Sequence, residues 1–191
     1  MSCRFPFAAL LIAVIFGSTA ALAAGAYNLW LDVPFVAQTK DGCGAASIAM
    51  VMQYWQQQQG RPATAESNPV EILHALYSQA AHGIYALAMA RYLQANGFRA
   101  FAFAADWMDI ERQLHFGRPL IVALKPDSSS ALHYVVVAGL DEPQRVVLLN
   151  DPAQRKLLKE DQSQFEREWK AAGHWALLAV PQSGAAPSSA H

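Results

Sequence analysis

The sequence predicts an α+β domain in which helices come first and an antiparallel sheet follows. The chain has 191 residues, of which 53% are hydrophobic and 15% are charged. This composition is typical of a folded domain with a core and not of a disordered chain. Helical features cluster between residues 45 and 116, whereas β-branched runs separated by turn residues dominate from residue 119 onward. Such segregation favours an α+β domain over a wound parallel sheet.

Residues 1–23 have the pattern of a Sec-type signal peptide. Arg4 is their only charged residue, and the apolar run Phe5–Phe16 is too short to span a bilayer comfortably. A small-x-small sequence ending at Ala23 then offers a cleavage site. We therefore expect a periplasmic or secreted protein with no stable membrane span after cleavage, and a retained anchor is the alternative.

The mature chain divides into one predicted domain, residues 24–180, and a disordered small-residue tail, residues 181–191. The helical half begins with an extended segment, Asp32–Ala37, in which Pro34 suits an edge strand. Glycine, proline and capping signals then bound the predicted helices. These helices are Ala45–Gln58, Val70–Ala81, Ile84–Ala95 and Trp107–Phe116, the last with Asp106 as its cap and Gly117 as its stop.

The second half contains apolar, β-branched runs that alternate with turns. The predicted strands are Pro119–Leu124, Leu132–Leu140, Arg145–Asn150 and Trp175–Val180, with a helix at Asp161–Ala172 before the last strand. The short polar segment 141–144 predicts that the second and third of these strands form a hairpin.

Charge and cysteine content exclude several classes of function. With 14 basic and 15 acidic residues the net charge is −1, so there is no electrostatic reason to expect nucleic acid as a partner. No histidines and carboxylates fall at a ligand spacing such as H-E-x-x-H, so we expect neither a metal site nor a cofactor. Loss of Cys3 with the signal peptide leaves Cys43 as a buried filler, an intermolecular bridge or a reactive thiol. The oligomeric state stays open.

Cys43 stands between Gly42 and Gly44 at the start of the strongest predicted helix. The free N–H groups and partial positive charge of a helix N-terminus stabilise a thiolate. We expect the two glycines to allow a sharp turn and the approach of a substrate to the sulfur. The alternative is that Cys43 is a small apolar residue packed beneath the helix.

A thiolate nucleophile needs a base, and His133 is the strongest candidate because it heads an otherwise apolar strand. Folding the hairpin about Glu142 places His133 directly opposite Asp151, with Cβ atoms roughly 5 Å apart. A slip of one residue would bring Asn150 or Pro152 there instead, and either Asp151 or Asn150 could orient an imidazole. Asp151 and Pro152 could also form a simple turn.

Gln38 lies five residues before Cys43 and supplies a side-chain amide. Together with the backbone N–H of Cys43, that amide could form an oxyanion hole for a tetrahedral intermediate. Cys43, His133 and Asp151 would then be the nucleophile, the base and the orienting carboxylate of an acyl-transfer site.

Two stretches of the chain resemble the motifs of the bacteriocin-processing, or double-glycine, cysteine peptidases, a papain-like family. The first, VPFVAQTKDGCGAASIAMVMQYW, resembles a nucleophile segment with a Gln shortly before a Cys-Gly-x-x-Ser/Ala turn and a helix. The second, HYVVVAGLDEPQRVVLLNDPA, is similar to the motif in which a His heads one strand and an Asp-Pro follows the next. The resemblance covers Asp32 to Lys159.

The resemblance implies a papain-like fold with Cys43 as nucleophile, His133 as base, Asp151 as orienting residue and Gln38 as oxyanion donor. The best-known members are domains of peptide-exporting transporters, whereas this chain carries a predicted signal peptide and a Gln-to-Cys spacing one residue shorter than expected. We therefore expect a stand-alone exported peptidase with a peptide or protein substrate, such as a secreted precursor. A thiol amidase or transpeptidase on peptidoglycan-type peptides and a non-catalytic peptide-binding relative are the alternatives.

Overall fold

The computed structural model describes Met1, residues 28–127 and residues 131–182. The predicted signal peptide, apart from Met1, and residues 183–191 of the predicted tail lie outside the described residues. Within the described part, no helix combines the length and apolar character needed to cross a membrane.

The described residues form seven β-strands and five α-helices. In chain order these are β1 (Asn28–Trp30), α1 (Cys43–Gln58), α2 (Pro69–Leu76), α3 (Ala86–Ala95), β2 (Phe98–Ala104), α4 (Trp107–His115), β3 (Leu120–Leu124), β4 (His133–Asp141), β5 (Val146–Asn150), β6 (Leu158–Asp161), α5 (Gln162–Ala171) and β7 (Trp175–Pro181). A single turn of 3₁₀-helix at Ala65–Ser67 precedes α2.

All pairings within the sheet are antiparallel, and its strand order is β2-β7-β3-β4-β5-β6, with β1 added beside β4. Three of the five helices precede all of the strands except β1. The predicted α+β class, with its helices towards the N-terminus and its antiparallel sheet towards the C-terminus, is confirmed.

The sheet separates two apolar clusters. Successive residues of β4 alternate between them, because side chains of a strand point to opposite faces. Tyr134 and Val136 join the cluster that contains α1, whereas Val135 and Val137 join the cluster built on Phe165 and Trp169 of α5. Helix α1 packs against α2, α3 and β4 and buries every residue from Gly44 to Met52, which explains its apolar composition.

The extended segment at Asp32–Ala37, in which Pro34 suits an edge strand, forms no strand of the sheet in the structure. Two of its carbonyl groups accept hydrogen bonds from a distant side chain rather than from a neighbouring strand. The Nδ2 of Asn150 donates to the Val33 oxygen at 3.0 Å and to the Pro34 oxygen at 3.4 Å. Sequence patterns do not indicate such a bond across 117 residues of chain.

Other elements differ from prediction by more than a residue or two at their ends. Helix α2 ends at Leu76 instead of Ala81, because the chain turns back on itself through a bridge between Ser78 and Gly83. Strands β2 and β6 were not predicted, and β7 includes Pro181, which we had assigned to the tail.

The predicted register of the β4–β5 hairpin is also wrong. Val136 lies opposite Asn150, so Asp151 continues opposite Val135 and not opposite His133. The turn is centred further along the chain than Glu142, and an irregularity between Val137 and Gly139 shifts the pairing again. The error amounts to two residues at the His133 end, and an even shift keeps both side chains on the same face of the sheet.

Gly139 makes β1 possible, and its replacement by alanine should destabilise the fold. A Cβ atom at residue 139 would lie 2.4 Å from the Leu29 oxygen and 2.8 Å from the Trp30 Cα, both of them in β1. We expect Gly139→Ala to lower the free energy of unfolding by about 2 kcal/mol or more, measured by urea denaturation. Gly83→Ala is the control, because its Cβ would make only an ordinary contact of 3.6 Å. Equal stability of the two variants would contradict this account.

Candidate active site

The nucleophile candidate Cys43 is the first residue of α1 and a partly exposed free thiol. A turn closed by a hydrogen bond from the Gly42 N–H to the Thr39 oxygen leads into the helix. Asp41 takes the left-handed conformation in this turn, with φ of 56°, whereas Gly42 has φ of −101°. Our expectation that Gly42 supplies the sharp turn is therefore wrong, since its backbone conformation is open to any residue.

The two glycines instead provide space. A Cβ at Gly42 would lie 3.0 Å from the Thr39 Oγ1, and a Cβ at Gly44 would lie 3.3 Å from the Ile84 Cβ and 3.5 Å from the Tyr134 ring. The start of α1 can therefore approach both β4 and the segment that precedes α3.

Residue 134 fixes the start of α1 against the start of β4. Its backbone makes a hydrogen bond with the Cys43 sulfur, and its carbonyl oxygen accepts a bond of 3.2 Å from the Ser47 Oγ. Ser47 is fully buried and lies four residues after Cys43, on the same face of the helix. We did not assign a role to Ser47 from the sequence. Its spacing of four residues from Cys43 nevertheless predicts that both side chains lie on the same face of the helix, towards His133.

His133 lies between the thiol and a carboxylate. Its Nε2 is 2.7 Å from the Oδ1 of Asp151, and its side chain also makes a hydrogen bond with Cys43. Because Nε2 contacts Asp151, Nδ1 is the ring nitrogen that remains for the sulfur. The structure thus brings the three predicted residues together in the predicted order, although the hairpin register differs.

Asp151 is held in place by further donors. Its side chain is 6% exposed, and its oxygens accept hydrogen bonds from the Ala153 N–H at 2.8 Å and from the Gln154 Nε2 at 2.7 Å. Asn150, the alternative orienting residue, is buried and bonds to Val33 and to the Leu157 N–H instead. Asp151 is therefore the partner of the imidazole, and Asn150 supports the backbone around it.

The electrostatics of the three groups favour a thiolate beside an imidazolium. Burial raises the pKa of Cys43, but hydrogen bonds from His133 and from the backbone, together with attraction to the imidazole, bring it below the ordinary value of a cysteine thiol. Burial lowers the pKa of His133, but its bonds to Asp151 and Cys43 raise it to about 9. Burial raises the pKa of Asp151, and its bonds to His133, Ala153 and Gln154 bring it below its ordinary value.

Gln38 approaches the site from the segment before α1. Its backbone N–H donates to the Pro152 oxygen at 2.9 Å, which ties it to the residue after Asp151. The side-chain Oε1 is buried without a hydrogen-bond partner, and the Nε2 donates to no other described residue. Gln38 lines one small pocket together with Gly42, the residue before Cys43.

A shallow apolar groove lies next to this end of the molecule. It is lined by Leu76 at the end of α2 and by residues of the α3 region, among them Tyr85, Leu87, Arg91 and Tyr92. Tyr85 and Leu87 are 55% and 60% exposed. The preceding residue, Ile84, is buried and lies close to Gly44, the residue after Cys43. Sequence reasoning missed this groove, because α2 was predicted to continue through it.

The arrangement can perform nucleophilic acyl chemistry with protein groups alone. It contains a partly exposed sulfur, a histidine with a carboxylate behind it and, on the segment that precedes the helix, a side-chain amide donor. Among the described residues, no cluster of three or more His, Cys, Asp or Glu side chains could hold a metal ion.

This combination of fold and site defines the papain-like cysteine peptidases, and the comparisons with known proteins identify the branch. Residues 30–177 match the Peptidase_C39-like family. The chain belongs to this family, which confirms the resemblance to the bacteriocin-processing peptidases. No curated protein sequence matches the chain.

Solved structures of this fold align over most of the chain. A double-glycine motif protease from an AMS/PCAT transporter, solved with its leader peptide, is 20% identical with a TM-score of 0.61, covering 80% of this chain and 94% of that one. A putative C39-like peptidase from Bacillus anthracis is 18% identical with a TM-score of 0.61, covering 82% and 99%. The peptidase domain of Streptococcus ComA, a bi-functional ABC transporter involved in quorum sensing, is 23% identical with a TM-score of 0.58, covering 78% and 98%.

The raised pKa of His133 should depend on both of its partners. We expect the imidazole to titrate near pH 9 in the wild-type protein and at lower pH in Asp151→Asn and in Cys43→Ala. Each variant removes a group that stabilises the protonated ring, while burial continues to favour the neutral ring. NMR titration of the imidazole resonances measures this. Asp161→Asn is the control. It replaces an exposed carboxylate at the N-cap of α5 and should leave the titration curve of His133 unchanged. Titration of wild-type His133 at or below pH 6.5 would contradict the assignment.

Proposed function

We propose that this chain is an active cysteine peptidase that is exported and hydrolyses peptide bonds. The observation that carries the proposal is the hydrogen-bonded series of Cys43, His133 and Asp151 within a papain-like fold. The signal-like segment at residues 1–23 supports export, and the relative solved with a leader peptide supports a precursor peptide as substrate.

In the acylation step, the Cys43 thiolate attacks the carbonyl carbon of the scissile peptide bond. The oxyanion that forms accepts hydrogen bonds from the Cys43 N–H and the Gln38 Nε2. The His133 imidazolium donates its proton to the departing amine nitrogen, the C–N bond breaks, and a thioester remains on Cys43.

In the deacylation step, neutral His133 removes a proton from water, and the resulting hydroxide attacks the thioester carbon. The C–S bond breaks, the carboxylic acid product leaves, and the thiolate–imidazolium pair is restored. Asp151 stays ionised throughout and holds the ring with Nδ1 towards the sulfur.

Two observations on the structure favour catalysis over simple peptide binding. The thiol is partly exposed rather than packed away, and the pKa values of Cys43 and His133 move in opposite directions towards the charged pair. Perturbation of this kind is expected at a reacting centre.

The reactivity of Cys43 should depend on His133. We expect iodoacetamide to alkylate Cys43 near neutral pH at least ~10-fold faster in the wild-type protein than in His133→Ala, since only the thiolate is the nucleophile. Mass spectrometry of the tryptic peptides measures the rate, and the exposed substitution Gln164→Ala is the control. Equal alkylation rates in the wild-type and His133→Ala proteins would contradict the proposal that His133 activates Cys43.

Peptide hydrolysis should be lost in Cys43→Ala and slowed about 100-fold in kcat by Gln38→Ala, the usual cost of one missing oxyanion donor. A peptide library digested with purified protein and read by mass spectrometry measures both effects. The new N-termini in the exported fraction of strains with and without Cys43→Ala would identify natural substrates. Full biological function of Cys43→Ala would favour a non-catalytic binding protein, and amine adducts among the products would favour transpeptidation.

The apolar groove should contribute to substrate binding rather than to chemistry. We expect Leu87→Lys to raise KM for a cleaved peptide by ~10-fold or more and to leave kcat nearly unchanged, because burial of one apolar side chain contributes about 2 kcal/mol. Steady-state kinetics measure the two constants. Met108→Lys on α4, another exposed apolar residue, is the matched control. If both variants gave the wild-type KM, the groove would have no part in substrate binding.

A further inference from the structure

The two ends of the sheet are protected to different degrees. Strand β6 at one end has only four residues, LKED, of which three are charged. Strand β2 at the other end has seven residues, FRAFAFA, with Arg99 as its one charge. Short and charged edge strands resist pairing with other chains, whereas long apolar ones invite it.

The backbone groups that β2 presents at its open edge follow from its pairing with β7. The Gln182 N–H donates to the Gly97 oxygen at 2.9 Å, and the Ala105 N–H donates to the His174 oxygen at 3.0 Å. Bonding residues alternate along an antiparallel pair, so residues 99, 101 and 103 bond to β7. Residues 98, 100, 102 and 104 therefore direct their N–H and C=O groups away from the sheet.

Among the described residues, only side-chain amides reach this open edge. Gln182 Nε2 donates to the Phe98 oxygen at 3.3 Å, and Gln94 Nε2 donates to the Ala100 oxygen at 3.1 Å. The four outward N–H groups have no partner in the described part of the chain. A carbonyl oxygen has two lone pairs, so both capped oxygens can still accept a second hydrogen bond.

We propose that β2 is a self-association edge, on which a second copy of this chain pairs antiparallel through its own β2 with the two-fold axis at Phe101. This register sets residue 98 opposite residue 104 and residue 100 opposite residue 102 of the second copy. Every outward N–H then meets an outward C=O across the axis, in the hydrogen-bonding pattern of an antiparallel ladder. The proposal does not depend on peptidase activity.

The side chains on one face fit the same register. Phe101, which is 51% exposed, meets its own equivalent at the closely spaced, non-hydrogen-bonded position. Arg99, which is exposed, lies opposite Phe103 of the second copy, where its guanidinium can stack on the ring. The two Arg99 side chains lie at opposite ends of the pair, so like charges are kept apart.

The other face is complementary because α3 covers only half of β2. Phe98 and Ala100 are buried on this face, whereas Ala102 and Ala104 are exposed. In the proposed register the two exposed alanines lie beside the buried half of the second copy, and hence next to its α3. Their small size leaves room for that helix. A contact limited to one pair of edge strands is small, and small interfaces are typical of dimers that dissociate on dilution.

A register-specific cross-link tests the proposal. In a thiol-free background, Cys3→Ala with Cys43→Ala, we expect Phe101→Cys to form a disulfide-linked dimer under mild oxidation, because two-fold symmetry brings its Cβ atoms roughly 5 Å apart. Phe103→Cys alone should not cross-link, but mixing it with Arg99→Cys should. Failure of Phe101→Cys to cross-link, or equal cross-linking of every variant, would overturn the register.

Light scattering over a concentration series tests the association itself. We expect the mass of the wild-type protein to rise from monomer towards dimer with concentration, and Phe101→Lys and Ala102→Pro to stay monomeric with unchanged circular dichroism. Proline is tolerated on an open edge, where no internal hydrogen bond is lost. Phe116→Lys, at a residue 62% exposed, is the matched control and should dimerise. A wild-type monomer at every concentration, or dimerisation of both edge variants, would overturn the proposal.

Discussion

The hydrogen bond of 2.7 Å between His133 Nε2 and Asp151 Oδ1 determines both the geometry and the charge of the candidate site. By engaging Nε2, it leaves Nδ1 to face the sulfur. Asp151 stays ionised because Ala153 and Gln154 donate to it as well, and its charge raises the pKa of His133 to about 9. The imidazolium in turn lowers the pKa of Cys43. The charge state of Cys43 therefore depends on the carboxylate of Asp151, which acts on the thiol through His133.

The segment from Asn150 to Pro152 connects the hydrogen-bonded series of Asp151, His133 and Cys43 to the rest of the site. Asn150 donates to the Val33 oxygen and accepts from the Leu157 N–H, so it holds the chain on both sides of the hairpin's second strand. Two residues later, the Pro152 oxygen accepts the Gln38 N–H. The orienting carboxylate and the proposed oxyanion donor are thus positioned by one short segment, and displacement of that segment would disturb both.

The sequence predicted the features that are determined by residues close together in the chain, and it did not predict those that depend on distant contacts. Cys43 could be placed because a helix start is visible in nearby residues, and the His133–Asp151 pair could be found because an even error of register keeps side chains on one face. The register itself could not be predicted, because it depends on the irregularity beside Gly139 and on the contact there with β1. The irregular segment at Val33 depends on Asn150, far along the chain, which no periodic pattern reveals.

The site lies where a buried helix meets the first residues of a buried strand, and this location makes its geometry rigid. Ser47 donates to the Tyr134 oxygen one helical turn after Cys43 and one residue after His133. Moving the thiol away from the imidazole would break this buried bond, at a cost of about 1–3 kcal/mol, and would also disturb packing on both sides of α1. The three groups of the candidate site are therefore preorganised. Under the proposed function, adaptation to different peptides then comes from exposed surfaces further out, such as the groove along α3.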